Sequence, residues 1–269
     1  MIYLNNNLWL LLLLFVLVFI QQPVENEFFT PNEISVNDTV REELREKYEN
    51  RTPEKWGQNV EGVRTRFKND GQEIALTLDA CSGEYDEDLI HFLQKNEIPA
   101  TLFLSGIWLQ NHTKVAADLA ADPLFEIANH GLNHRPCSLT GKSALDIEGT
   151  KNFDEAFEEI YRNAEYIKEI TGAETKFYRS GTAFYDEVCT ALSVDMDHDV
   201  AGYTIDGDGG ADFSSHDVKQ KLLSADAGDI ILLHMNQPES STYEGVGKAI
   251  PELIKAGFSF VTLSERNLY

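Results

Sequence analysis

From residue 73 to the C-terminus the chain repeats one pattern, a short β-rich apolar run followed by an amphipathic stretch, and this alternation limits the fold more than any other feature. Seven runs read as strands: 73–78, 100–104, 124–128, 175–178, 200–205, 229–233 and 259–263. Helices are predicted between them over 86–96, 113–121, 153–171, 185–193, 218–225 and 245–256. Within 153–171, Phe153, Phe157, Ile160, Tyr161, Ala164 and Ile167 recur at helical spacing and form one apolar face. Gly172 and Gly257 follow two of these helices, where a left-handed residue commonly ends a helix. Strands that alternate with helices form parallel sheets with right-handed crossovers. Seven such units in about 200 residues favour an α/β fold closed into a distorted (β/α) barrel of about seven parallel strands over an open doubly wound sheet. Gly207, Gly209 and Gly210 follow a strand, but the acidic residues between them would repel phosphate, so no dinucleotide or P-loop site is read there.

Residues 23–71 are polar and charged and read as a spacer, with a short helix over 41–48. Before them, Leu8 to Ile20 is an unbroken run of 13 apolar residues, which assigns residues 1–22 to a signal or membrane-anchor segment. The run matches a secretory apolar region of about 7–15 residues and falls short of the ~20 needed to span a bilayer. Met1 to Asn7 contains no Lys or Arg, and no small-x-small cleavage site precedes Gln21, so a cleaved export signal and a retained anchor both stay open. Either reading places the rest of the chain outside the cytoplasm, in the periplasm, at the cell surface or secreted. The formal charge of −23 comes from 45 acidic residues spread between Glu25 and Glu265, which excludes nucleic acid as a partner. Cys81, Cys137 and Cys189 contain no CxxC pair, so neither a zinc ribbon nor a thioredoxin-like site is suggested. A disulfide between Cys81 and Cys137 and a pair of free thiols are both compatible with the spacing.

In an α/β barrel, functional groups stand at the C-terminal ends of the strands. Read in order, those positions here carry Asp79, the pair His130 and His134, Arg179, the run Asp206-Gly207-Asp208, and His234. Two histidines four apart on one helical turn can meet a single ion, about 2.0–2.1 Å from each nitrogen if it is zinc. Gly131 between them lets the backbone bend tightly. Singly, each residue has a structural explanation: Asp79 as a loop cap, Arg179 in a surface pair, Asp206 and Asp208 as turn residues, His234 as a core histidine. Chance would scatter them over both ends of the strands, and they fall at one end.

Over roughly residues 73–263 the chain resembles the polysaccharide deacetylase family, carbohydrate esterase family 4 or NodB-homology domain, which gives 72–269 as the catalytic domain. Thr77-Leu78-Asp79-Ala80 stands for that family's T-F-D-D, His130 to His134 for H-[ST]-x-x-H, Arg179-Ser180-Gly181-Thr182 for R-x-P-[YF], Asp206-Gly207-Asp208 for D-x-x-D-W, and Leu232-Leu233-His234 for L-x-H. The resemblance implies an exported hydrolase that removes N-acetyl, or O-acetyl, groups from a polysaccharide such as peptidoglycan or another N-acetylhexosamine polymer. It implies a divalent metal, with zinc the first choice, held by His130 and His134. It also implies Asp79 as general base, His234 as general acid, Arg179 as the partner that keeps Asp79 ionised, and Asp208 as the carboxylate behind His234. Backbone N–H groups from Ala80 to Ser82 are candidates for an oxyanion site.

One departure touches the metal. Ala80 stands where the family places its third ligand, so Asp79 is expected to enter the coordination shell, with Cys81 as the alternative donor. Phe184, Tyr185 and Trp108 could line a sugar groove or the core. A non-catalytic carbohydrate-binding protein on a decayed deacetylase barrel and a small-molecule deacylase remain the alternatives. No feature speaks to oligomeric state.

Overall fold

A computed structural model of the chain describes residues 31–69 and 71–269. In chain order its elements are α1 (Pro31–Tyr48), β1 (Val63–Arg64), β2 (Glu73–Ala80), α2 (Glu87–Lys95), β3 (Ala100–Leu104), α3 (Gly106–Ala120), β4 (Phe125–Asn129) and α4 (Phe153–Thr171). There follow β5 (Phe177–Tyr178), α5 (Glu187–Asp195), β6 (Asp199–Ala201), β7 (Ile205–Asp206), α6 (Ser215–Leu223), β8 (Ile230–His234), α7 (Thr242–Lys255) and β9 (Ser259–Val261). The chain divides into two compact units, Met1–Thr39 and Val40–Tyr269. Of the first, only the start of α1 lies among the described residues, and every strand belongs to the second.

Nine strands form one sheet in the order β1-β6-β5-β4-β3-β2-β8-β7, with β9 paired to the first residues of β2. Every pairing is parallel. β6 lies beside the end strand β1 and β7 lies at the other end of that path, yet only Gly202, Tyr203 and Thr204 join β6 to β7. Even fully extended, that link holds Ala201 and Ile205 within about 14 Å of each other. The sheet therefore curls until its edges face one another, which is the distorted (β/α) barrel expected from the alternation.

β2 shows how the layers form. All of its residues from Ile74 to Ala80 are buried, as in a parallel strand covered on both faces. Ile74, Leu76, Leu78 and Ala80 belong to the apolar cluster shared with Leu89 and Leu93 of α2, Leu109 of α3, Leu222 of α6 and Leu253 of α7. Ala75 belongs to a smaller interior cluster with Phe103, Ala128, Ile230 and Val261. Side chains alternate along a strand, so Thr77 and Asp79 share the interior face with Ala75. Asp86, Ser105, Asn152, Asp186 and Ser214 each accept the backbone N–H of the third residue on, capping α2, α3, α4, α5 and α6. These caps fix where each loop at the C-terminal rim ends.

Three expectations change. The run 200–205 reads as one strand but splits into β6 and β7, because the chain leaves β6, next to the edge strand β1, at Gly202 and crosses to the opposite edge. A Cβ at Gly202 would lie 2.7 Å from Val63 Cγ1 and 2.9 Å from Thr65 Cγ2, so the crossing runs hard against the segment bearing β1. Second, residues 40–69, read as spacer, are built into the domain: Leu44, Tyr48, Val60 and Phe67 are buried, and β1 extends the sheet. Their few apolar residues were too widely spaced to register as an element. Third, Cys137 pairs with Cys189, Cα atoms 5.8 Å apart, and Cys81 is a free thiol. Cys137 O accepts the Asp186 N–H at 3.0 Å, which lays the first turn of α5 against the Cys137 loop. The apolar run 8–20 lies outside the described residues, and among those described no helix is long and apolar enough to cross a membrane.

Candidate active site

Asp79 and His234 are register partners on the adjacent strands β2 and β8, so both side chains leave the sheet on the same face. Their surroundings push them in opposite directions. Asp79 is buried, but the Arg179 guanidinium, followed by His130 and His234, holds its carboxyl below the usual range against that burial. Arg179 is itself fully buried and donates to Asp79 Oδ1 at 2.7 Å, to Thr77 Oγ1 at 2.9 Å, and to the carbonyls of Ala201 and Gly202 at 3.0 Å each. Its guanidinium lies 4.2 Å from the Phe103 ring centroid. His234 is likewise desolvated, yet Asp208 raises it well above the ordinary histidine range. Asp208 Oδ1 lies 2.9 Å from His234 Nδ1, and Oδ2 accepts the His234 backbone N–H at 2.7 Å and the Thr242 hydroxyl at 3.0 Å. The proton on Nδ1 is thereby occupied, and Nε2–H is the one left to give. Asp206 does something else: its Oδ1 accepts the Gly209 N–H at 2.7 Å and turns the loop.

His130 follows β4 directly. Its Nδ1 lies 2.9 Å from the Arg179 carbonyl, which can only accept, so Nδ1 carries the proton and the neutral ring presents its Nε2 lone pair. That nitrogen is 3.5 Å from Asp79 Oδ2 and 3.6 Å from Cys81 Sγ. Burial opposes a charge on His130, but Asp79 and Cys81 raise its pKa, so an arriving cation displaces a proton. The His134 ring stands edge-on to it, centroids 4.9 Å apart, and His134 Nε2 is buried with no hydrogen-bond partner among the described residues. The donor atoms of Cys81, His130 and His134 lie within 4.8 Å of one another; Asp79 is not in that set. A buried, unpartnered imidazole nitrogen beside a second imidazole and a thiol is what a cation site needs, so the residues present fit a divalent ion. The Cys81 thiol is opposed by burial but held well below its ordinary value by His130, His134 and His234.

The two histidines do not share a helical turn, as their spacing suggested. They meet across a loop in which Gly131 has φ 81° and His134 has φ 56°. Both are left-handed, and for His134 the neighbours must hold the strain. Glu159, which sequence reading passed over, does so: buried on α4, it accepts the backbone N–H groups of Asn133 and Arg135 at 2.8 and 3.1 Å and the Asn133 side-chain amide at 3.0 Å. Asn163, one turn on, donates to Asn129 Oδ1 at 2.7 Å, and Asn129 Oδ1 accepts the Gly131 N–H at 2.9 Å. A Glu and an Asn four apart beside the apolar stripe of the 153–171 helix were the legible signal. Gly181 completes the support, because a Cβ there would sit 2.3 Å from the His134 carbonyl carbon and oxygen.

Ala80 leaves no gap in this site, since its methyl belongs to the apolar cluster outside the sheet with Leu104, Trp108 and Met235. Trp108 and Tyr185 are fully buried and belong to the core, not to a groove. The Trp108 indole donates to the Glu84 carbonyl at 2.9 Å. Phe184 is half-buried and faces Trp56, ring centroids 5.9 Å apart.

Known proteins share both sequence and shape with this chain. A peptidoglycan-N-acetylglucosamine deacetylase of Bacillus cereus is 28% identical over 211 residues, covering 76% of this chain and 92% of the relative. An uncharacterized protein of Bacillus subtilis, YlxY, is 24% identical over 189 residues, covering 69% of this chain. The chain spans only 54% of the length of that relative. Among solved structures, a CE4 family pseudoenzyme from Bacillus anthracis superimposes with a TM-score of 0.64 at 21% identity, over 76% of this chain and 68% of the other. That likeness establishes the fold and leaves activity to the residues. The family model for polysaccharide deacetylases matches residues 67–201, a segment that runs from the entry into β2 to the end of β6 and takes in Asp79, both histidines and Arg179. By that match and by its barrel, this chain is a member of the polysaccharide deacetylase family.

Proposed function

We propose that the protein is an exported, metal-dependent hydrolase that removes N-acetyl groups from a polysaccharide, with peptidoglycan or another N-acetylhexosamine polymer as the substrate class. The observation that carries this reading is the register pair Asp79 and His234, a carboxylate kept ionised and an imidazole kept protonated on one face of adjacent strands. Environments that drive two neighbouring groups apart in this way assign base and acid. His130 and His134 would hold the ion, with a third donor from Asp79 or Cys81. When bound, a divalent ion would supply Lewis-acid polarisation of an acyl carbonyl and activation of a water. Asp79 takes the water proton, and Arg179 keeps it available for that purpose. His234 gives its Nε2 proton to the amine as the C–N bond breaks, and Asp208 supports the charge until then. The substrate class is extended from the deacetylase named among the relatives. Export is supported by the apolar N-terminal run and by the Cys137–Cys189 bridge, since disulfides persist in oxidising compartments.

Acetate release from acetylated glycans, peptidoglycan fragments and N-acetylglucosamine oligomers among them, with and without added zinc, tests the reading. Zinc-dependent release that is lost in Asp79→Asn and His234→Ala is expected. Glycan binding with no release from any substrate would instead make the protein a non-catalytic binder.

A further inference from the structure

We propose that Cys81 is the third protein ligand of the metal, which makes this a one-thiolate, two-imidazole site for a thiophilic ion such as zinc and leaves Asp79 free as the base. The inference rests on the metal-dependent reading above and specifies the donor which that reading left open. Four observations carry it.

The first is a distance. Zinc bonds of about 2.3 Å to sulfur and 2.0–2.1 Å to nitrogen, at a tetrahedral angle, separate the two donor atoms by about 3.5–3.6 Å. Cys81 Sγ and His130 Nε2 are 3.6 Å apart. The second is the direction of the lone pairs: His130 spends Nδ1 on the Arg179 carbonyl, and the buried His134 Nε2 has no hydrogen-bond partner among the described residues. One ring nitrogen of each histidine falls within 4.8 Å of the sulfur and of the other. The third is that Asp79 is committed to Arg179 through Oδ1 at 2.7 Å, and although its Oδ2 lies 3.5 Å from His130 Nε2, Asp79 falls outside the set of donors that converge with both imidazoles.

The fourth is that the backbone carrying the thiol is tied down. Ser105, the cap of α3, donates to the Cys81 carbonyl at 2.5 Å, tying the residue after β2 to the rim. Ala80 faces the outer apolar layer, so the chain supplies its donor one residue later, where it turns inward. On binding, the thiol proton is released to solvent and a sulfur–metal bond forms. Three protein ligands leave one position open, as in catalytic zinc sites, and a soft sulfur donor disfavours magnesium, calcium and manganese.

The test uses the full chain with its disulfide intact. Titration with cobalt(II) is expected to give one bound ion per chain and a near-ultraviolet thiolate-to-cobalt charge-transfer band, absent in Cys81→Ser. Zinc affinity in that variant should fall by more than the roughly 10–100-fold that loss of a ligand's outer partner costs. Cys81→Asp should keep binding but move the preference towards manganese. Because a variant can fail to fold, the wild-type chain provides a second readout: one equivalent of zinc should protect Cys81 from iodoacetamide, with the alkylated site located by mass spectrometry. An ion bound without the band, with Cys81 still alkylated, overturns the thiolate ligand alone. A wild-type chain that binds no ion overturns both this inference and the metal-dependent reading.

Discussion

Replacing Gly181 with alanine puts a methyl group where the backbone of His134, a proposed metal ligand, already lies. Its Cβ would stand 2.3 Å from the carbonyl carbon and oxygen of His134 and 2.5 Å from the His134 Cα. All three are backbone atoms, so no rotamer relieves the contact. Non-bonded carbons rest about 3.5–4.0 Å apart, so the two loops must separate by more than about 1 Å. His134 cannot yield locally, because its φ of 56° is already uncommon and its loop is held by Glu159. Overpacking of this kind costs about 1–3 kcal/mol. At about 2–4 °C per kcal/mol for a domain of this size, the melting temperature should fall by about 2–12 °C. The larger effect is on the ion, since ligand distances are tolerated only within about 0.2 Å. Zinc affinity should drop at least as far as when an outer partner is lost, about 10–100-fold. Calorimetry and competition with a chromophoric chelator measure the two losses. Gly247→Ala is the control: it lies within α7, its Cβ meets only Phe92 Cε2 at 3.9 Å, and it should stabilise by up to about 1 kcal/mol. A Gly181→Ala protein with unchanged melting and unchanged zinc affinity would show that His134 is not held as described.

Three further outcomes are expected. The proposed mechanism requires protonated His234 and ionised Asp79, so kcat/KM should stay high from acid pH, where the lowered Asp79 is already ionised, until pH rises through the raised His234 pKa. Asp208→Asn removes what raises His234, so the alkaline fall should begin at lower pH while the acid limb stays in place; an unmoved alkaline limb refutes the assignment. Arg179→Met leaves Asp79 buried without its counter-charge and should cost about 3–5 kcal/mol by chemical denaturation, with the acid limb moving up. Converting both Cys137 and Cys189 to serine opens a link across 52 residues and should cost about 2–4 kcal/mol. Equal melting of that variant and the wild type would argue against the bridge.

How much of this was legible depended on whether the cause was local. The strand ends bearing Asp79, Arg179 and His234 could be read because alternation sets the strands and parallel order sets which end carries function. Asp208 could be separated from Asp206 by its distance past the strand, and the structure brings it to His234. The split of 200–205 was hidden, because β propensity does not report which edge a strand joins. The partner of Cys137 was hidden as well: it depends on where the loop after His134 meets α5, a contact across 52 residues. Ala80 looked like a lost ligand because one-letter correspondence carries no side-chain direction, whereas its methyl points into the helix layer.

Arg179 has a second task that follows from where its other donors go. Nε and Nη2 bond the carbonyls of Ala201 and Gly202, at the point where the chain leaves β6 to reach β7, while Nη1 bonds Asp79 on β2. One guanidinium thus stitches the seam of the barrel to the proposed general base. A chain whose seam has not closed has an unclamped Asp79, so the proposed base gains its counter-charge only as the fold is completed.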